Sequence, residues 1–350
     1  LSESIEDCVL DGKMKRVSNR KKEILLLRKI GIIILCFVFT ILSYFTLVSA
    51  EKVFHSDFKP PQTSALNEEQ YRLVLITQEL ETPFWDKVAE GAIMQAQREG
   101  ASLEVWGSYG NNQDDFLKKI ELAIHSKMDG VIVQGLDTEE FSSLTKFKAA
   151  SSGIPIITVA NDVPLEESLR KTYVGSDQVL AGRMIAKQLI TDMGPSGKVI
   201  ILGESEQEYH QQQRLQGIQD VLKEYPNVKT LYAETPDTKE QVIATTQVLL
   251  NQLPDVDAFI AVNANNAGAM IQEIGRRSQV EPYHIYTFDD GTESFSLLAQ
   301  GKLDGMLEQS PEKMGELSVN LIMKWLTDEA VPLDMDGYLT DIRIVKATDR

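Results

Sequence analysis

From residue 71 onward, short apolar runs alternate with longer stretches whose apolar residues recur every three or four positions. The first unit sets the pattern. Residues 73–76, LVLI, read as a buried strand, residues 78–82 as a polar elbow, and Pro83 stands where the first turn of a helix accepts proline. Trp85, Val88, Ala89, Ala92, Ile93 and Ala96 then share one helical face. Residues 103–106 alternate, and Phe116, Leu117, Ile120, Ala123 and Ile124 return to helical spacing. Residues 130–133 and 155–160 read as buried strands on either side of a helix at about 138–150, the second strand ending in Asn161-Asp162.

The alternation restarts at residue 174. A helix carries Leu180, Met184, Ile185 and Leu189, followed by a strand at 198–202 and a glutamine-rich helix at 208–224. Strands at 228–232, 258–262 (ending at Asn263) and 283–288 (ending at Asp289) enclose helices at 239–252 and 265–277. Segments at 301–307, 314–326 and 342–345 complete the chain. Short apolar strands separated by helices predict βαβ units and parallel sheets. There are too many units for one sheet. The expected fold is α/β: two doubly wound parallel-sheet lobes, with loops facing each other across a cleft. Ligands of such sheets sit beyond the carboxyl ends of the strands. In the first unit that end holds Gln78, Glu81, Thr82, Phe84 and Trp85.

The N-terminus follows another pattern. Residues 30–48 contain no charged residue, close to the ~20 residues that span a bilayer. Eight basic side chains precede this run, so the positive-inside rule places residues 1–29 in the cytoplasm and the body outside. Residues 30–50 therefore read as a transmembrane anchor, with a cleaved signal ending at Val48-Ser49-Ala50 or a lipid anchor through Cys36 as alternatives. Met14 is a natural start for such a segment, leaving residues 1–13 as an upstream extension. Residues 51–70, with Pro60-Pro61, read as a linker.

Charge sharpens the division. The chain carries 35 basic and 52 acidic residues, and residues 1–50 hold 8 and 5 of them, leaving 27 against 47 in the body. So acidic a body excludes non-specific nucleic-acid binding. Its two cysteines, Cys8 and Cys36, both lie in the N-terminal segment, which excludes a disulfide, a cysteine metal site or a cysteine nucleophile in the body. The sequence has no HExxH, no GxSxG and no P-loop, and its four histidines lack metal-ligand spacing. No cofactor, metal or catalytic activity is expected. The acidic run at 334–337 reads as a turn.

TPFWDKVAEGA at 82–92, GIPIIT at 153–158, VGSDQVLAG at 174–182, RLQG at 214–217, Asn263, TFDDGT at 287–292 and GKLDGMLEQSPEKMG at 301–315 together resemble the type I periplasmic sugar-binding proteins, the ribose-binding group. The resemblance covers residues 71 to about 345. It implies hinge crossings near Ser176, Gln309-Ser310 and Asp341. Lobe 1 would then span 71–176, completed by 310–341, and lobe 2 would span 177–309, completed by 342–350. It also implies ligand positions at Gln78, Thr82, Phe84, Trp85, Ala160, Asn161, Arg214, Pro236, Asn263, Asp289 and Gln309. The ribose-binding pattern has an Asp-Arg pair where this chain has Ala160-Asn161, with Asp162 one position later as a further candidate ligand residue, so ribose itself is not expected. These residue types suit a sugar, since aromatic rings cover its apolar face and carboxylate, amide and guanidinium groups match its hydroxyls. Each also has a structural alternative: Asp289 as a helix cap, Arg214 in an ion pair, Asn263 in a turn, Trp85 in the core.

The expected function is a membrane-anchored, single-pass extracytoplasmic protein that binds a small carbohydrate. Its closed state would be read by a sensor histidine kinase or by the permease of a sugar ABC importer. A LacI-like regulator needs an N-terminal helix-turn-helix where this chain has its apolar run, and an exported carbohydrate-active enzyme needs a catalytic group that no motif supplies.

Overall fold

The protein is described by a computed structural model covering residues 37–46, 70–110, 112–205, 208–236, 238–277 and 283–346. The chain divides into two units, Leu1–Glu68 and Glu69–Arg350. Of the first unit only residues 37–46 are described; they are helical, with Phe37, Phe39, Leu42 and Phe45 exposed. Among the described residues, no helix is long and apolar enough to cross a membrane. Most of the expected anchor, the basic segment before it and the linker up to residue 69 lie outside the described residues.

In the second unit the strands are β1 (Arg72–Thr77), β2 (Ser102–Gly107), β3 (Gly130–Gln134), β4 (Ile156–Val159), β5 (Thr172–Gly175), β6 (Ser196–Glu204), β7 (Asn227–Thr235), β8 (Ala258–Ala261), β9 (His284–Phe288), β10 (Gly305–Glu308), β11 (Tyr338–Leu339) and β12 (Arg343–Lys346). They form two six-stranded sheets, β11-β5-β4-β3-β1-β2 and β12-β10-β9-β8-β6-β7. Every pairing is parallel except β10 with β12, which is antiparallel. That strand corrects the expectation of purely parallel lobes: an edge strand entered directly from the other lobe needs no crossover helix and runs in the opposite sense. The two-residue β11 is too short for any periodicity to announce it. β3, β4, β5 and β8 are buried along their whole length, as strands covered by helices on both faces must be.

The helices are α1 (Pro83–Arg98), α2 (Gln113–His125), α3 (Glu139–Ser142, continuing as a π-helical turn Ser143–Ala149), α4 (Gln178–Met193), α5 (Tyr209–Leu222), α6 (Lys239–Gln252), α7 (Asn266–Arg277), α8 (Ser294–Ala299) and α9 (Pro311–Leu326). Two helix pairs approach backbone to backbone. A Cβ at Gly91 would lie 2.0 Å from the Glu312 carbonyl oxygen, and one at Gly315 2.0 Å from that of Val88, so α1 and α9 touch through reciprocal glycines. In α4 and α5, Gly182 meets the Arg214 carbonyl and Gly217 meets that of Val179, again at 2.0 Å.

The chain changes sheet three times, after β5, after β10 and after β11. The crossings bond to one another. Thr340 N–H donates to Gly175 O at 2.8 Å, and Ser310 Oγ donates to Asp341 O at 2.8 Å. The Tyr173 hydroxyl donates to the carbonyls of Ser176 and Ala160, each at 3.0 Å.

Candidate ligand-binding site

In the first sheet the winding direction reverses between β1 and β3, and in the second between β6 and β8. These switch points open crevices at the carboxyl ends of the strands, where α/β sheets take ligands. The two crevices enclose one cavity with ≈ 70 Å³ of room for the centres of water-sized spheres. Its wall is built from both lobes. Gln78 and Glu79 follow β1, Gln134 ends β3, Asn161 follows β4, and Phe84 and Trp85 come from the first turn of α1. Opposite them, Glu204 ends β6, Asn263, Ala264 and Asn265 follow β8, Asp290 follows β9, and Glu208, His210, Gln211 and Arg214 come from the start of α5.

Local folding aims these groups. Thr82 caps α1, its hydroxyl accepting from Trp85 N–H at 3.4 Å, and this fixes the turn that sends Phe84 and Trp85 inward. Their rings meet edge to face, 5.5 Å between centroids at 82°. Gln134 Oε1 accepts from Gln78 N–H and from Thr77 Oγ1, both at 2.9 Å, joining β3 to the loop after β1. Ala160 adopts left-handed backbone at φ 62°, and beyond this kink Asn161 lines the cavity while Asp162 does not.

Arg214 is fully buried, with 1% of its surface exposed. Its guanidinium makes a bidentate pair with Asp290, at 2.6 and 3.3 Å. Nε donates to Gln178 Oε1 at 2.8 Å, and the guanidinium carbon lies 4.0 Å from the Phe288 ring centroid. Burial alone would raise the Asp290 carboxyl; the charge and hydrogen bonds of Arg214 more than offset it and hold Asp290 below the ordinary carboxylate range. Three polar atoms on the wall, Gln78 Nε2, His210 Nδ1 and Gln211 Oε1, are buried with no hydrogen-bond partner among the described residues. The lobes touch across the cleft: Asn161 Nδ2 donates to Glu208 at 3.1 Å and Asn265 Nδ2 to Glu79 at 3.3 Å. Lys87 Nζ lies 5.1 Å from the Phe295 ring centroid.

Of the residues expected from the sequence, the cavity brings together Gln78, Phe84, Trp85, Asn161, Arg214 and Asn263. Thr82, Asp162, Asp289 and Gln309 are not on its wall. Thr82 is occupied as a helix cap. Asp162 accepts from Thr158 Oγ1 and pairs with buried Arg170, both at 2.7 Å. Asp289 accepts from Gln309 N–H at 2.7 Å and from Gln309 Nε2 at 2.9 Å, so the two lock each other beside the crossing after β10. Ala160 and exposed Pro236 are also away from the wall. Asp290 takes the cavity position expected for Asp289. Two adjacent aspartates at a strand end give a sequence reader no means of telling which points inward. Glu204, Glu208, His210 and Gln211 are missed for another reason: they sit on a polar stretch that reads as solvated helix, and only its place after β6, at the switch point, marks it.

Asp289 carries a pH signature. Burial first, then the charge of Asp290, pushes its carboxyl up to about 7, against the lowering effect of Gln309 and Arg214. An acid raised in the folded state holds its proton more tightly there than in the unfolded chain. Its ionisation therefore opposes folding as pH rises from about 4 to about 7, by on the order of 4 kcal/mol. Asp289→Asn should accordingly gain stability relative to wild type as pH rises through that window. Urea midpoints of both proteins at about pH 5 and pH 8 measure this; a constant difference between them would contradict it.

A family model described as the periplasmic binding protein domain matches residues 73–330. The chain belongs to the periplasmic binding proteins. Its expected place in the type I, ribose-binding-like group holds. The ribose import binding protein RbsB of Escherichia coli is 24% identical to this binding protein over 278 residues, 78% of this chain and 90% of RbsB. GanP, a glucose-galactose binding protein from Geobacillus stearothermophilus, superposes with a TM-score of 0.74 at 27% identity, over 81% of this chain and 99% of GanP. XylFII, in a complex with LytSN, superposes with a TM-score of 0.69 at 24% identity, over 80% of this chain and 99% of XylFII, a likeness of fold.

Proposed function

We propose that this chain is a membrane-anchored extracytoplasmic solute-binding protein that takes a monosaccharide or related small carbohydrate in the interlobe cavity. The carrying observation is the set of buried, unpartnered atoms on Gln78, His210 and Gln211 beside the Phe84–Trp85 pair. Polar atoms inside a protein are rarely left unmatched, and a polyol supplies donors and acceptors in the right mixture. The ≈ 70 Å³ open to water centres in this cavity suits one sugar ring better than a disaccharide. The relatives' binding of ribose and of glucose or galactose supports the same class.

Closure about the three crossings is the signal that a partner reads, and a ligand drives it only by its preference for the closed form. The apolar run at 30–48 and the basic residues before it support an anchored body, which raises its effective concentration at a membrane partner. A sensor histidine kinase fits this arrangement better than a sugar ABC permease, and the capture of XylFII with LytSN supports a protein partner for this fold. Affinity capture of the full chain from its own membranes separates the two; permease subunits without a kinase would remove the sensing version.

The ligand class has an optical test. Trp85 lines the cavity, whereas Trp106 and Trp325 do not. A bound monosaccharide should change tryptophan emission in the wild-type chain and leave it unchanged in Trp85→Phe. A change that persists in Trp85→Phe would place the ligand elsewhere.

A further inference from the structure

Gln178 is not on the cavity wall, yet it is bonded to the guanidinium that is. It opens α4 directly after the first crossing and is 3% exposed. Its Oε1 accepts from Arg214 Nε at 2.8 Å, and its Nε2 donates to Gln309 Oε1 at 3.4 Å. Gln309, buried at the second crossing, gives its own Nε2 to Asp289 Oδ1 at 2.9 Å and its backbone N–H to Asp289 Oδ2 at 2.7 Å. The Gln178 side chain also reaches the Tyr173 hydroxyl, which holds Ser176 O of the first crossing and Ala160 O of lobe 1.

This chain of bonds has one permitted direction. A guanidinium has donors and no acceptor, so Gln178 must turn its oxygen to Arg214 and its NH2 group to Gln309. Gln309 must then turn its oxygen to Gln178 and its NH2 group to Asp289. Gln178 cannot flip without setting N–H against N–H at Arg214, and Gln309 cannot flip alone without doing the same at Gln178. Such a mismatch inside the protein leaves buried groups unpaired, which costs more than the bond itself was worth. In that fixed order the relay ties a residue of the wall, Arg214, to two of the segments that join the lobes. An aliphatic side chain at 178 could fill the same space but would leave Arg214 Nε and Gln309 Oε1 without each other's intermediary.

We infer that Gln178 is a positioning residue for closure: its buried amide holds the first and second crossings in register with Arg214, so that the interlobe angle follows the state of the cavity wall. It acts through Arg214 on one side and Gln309 on the other and touches no ligand itself. A ligand that fixes the guanidinium thereby biases both crossings at once, which is how a contact in the cavity becomes a difference in affinity between two interlobe angles. The inference stands apart from the carbohydrate reading, since it holds for any ligand that engages Arg214.

The test is the distance between the lobes, read by double electron–electron resonance between spin labels on the full chain in detergent, with no ligand added. Leu122→Cys in α2 and Val248→Cys in α6 put labels on exposed positions of the first and second lobes, and Cys8→Ser with Cys36→Ser leaves no other thiol. Gln178→Met should shift or widen the distance distribution by at least about 2 Å, the scale of a hinge rearrangement. Gln309→Met should do the same, and the double variant should go no further, because both cut one chain. Gln178→Glu still accepts from Arg214 but cannot donate to Gln309; it should widen the distribution as well, and it decides the matter where the methionine variant fails to fold. Leu321→Ala, a truncation of a buried residue in α9, removes packing outside the relay and should keep the wild-type distances. Wild-type distances in a folded Gln178 variant, or the same widening in Leu321→Ala, overturn the inference.

Discussion

Arg214→Met should abolish ligand binding and lower the stability of the body by about 3–5 kcal/mol. The size follows from where the charge sits. Arg214 is fully buried, and its removal strands Asp290, which is part of the cavity wall, without its bidentate partner. Gln178 loses its donor and Phe288 the flat group stacked on its face. The pH dependence has a definite sign. In the wild type the Asp290 carboxyl is lowered, so the pair contributes stability above the ordinary carboxylate pKa and loses it as pH falls through the folded value. In the variant that carboxyl is raised by burial, so the deficit is largest near neutral pH and shrinks on acidification. Asp290→Asn alone leaves the guanidinium buried and is also destabilising. The double variant should recover at least ~2 kcal/mol of the summed losses, because each single change orphans the other partner. Urea unfolding of the four proteins measures this; strictly additive losses would mean that the pair is not coupled. Arg214→Lys should rescue only in part, since an ammonium cannot make the two parallel bonds to Asp290.

Gly182→Leu should destabilise the chain by about 3 kcal/mol and weaken ligand binding with it. A Cβ there lies 2.0 Å from the Arg214 carbonyl oxygen and 3.0 Å from Ile218 N, and both are backbone atoms of α5 that no rotamer change can move aside. α5 must shift away from α4, and it carries His210, Gln211 and Arg214. For a body of this size the melting midpoint should drop by roughly 6–12 °C. Leu180→Ala, on an exposed position of the same helix, serves as the control and should stay within about 0.5 kcal/mol of wild type. A Gly182→Leu protein that melts with the control would contradict the backbone contact between the two helices.

The alternation of apolar runs and helical faces was enough to read the two sheets and most of their helices, because strands buried on both faces leave continuous apolar runs such as LVLI and KVIIL. The glycines within the family motifs also have a physical reading: Gly91, Gly182, Gly217 and Gly315 stand where helices touch backbone to backbone. Short elements escaped that reading: the four-residue β5, the six-residue α8 and the two-residue β11 are too brief for a period to show, and the sense of β12 depends on the direction in which the chain enters the second lobe. In the site, residues at strand ends or on a patterned helix, such as Gln78, Trp85, Asn161, Asn263 and Arg214, were legible. Thr82 and Asp162 carry polar groups that suit a sugar equally well, yet their hydrogen bonds go to a helix cap and a buried ion pair. Sequence names the chemistry a side chain offers; only packing decides which partner takes it.

The most direct measurement is thermal unfolding of the full chain, wild type and Arg214→Met, against a panel of pentoses, hexoses, amino sugars and polyols. A ligand at ~100 times its dissociation constant adds about 2.7 kcal/mol of stability, a rise in midpoint of roughly 5–10 °C for a body of this size. One carbohydrate should give that rise in the wild type and none in Arg214→Met. A panel in which no carbohydrate moves the wild-type midpoint, or one whose stabilisation survives in Arg214→Met, would contradict a carbohydrate site in this cavity.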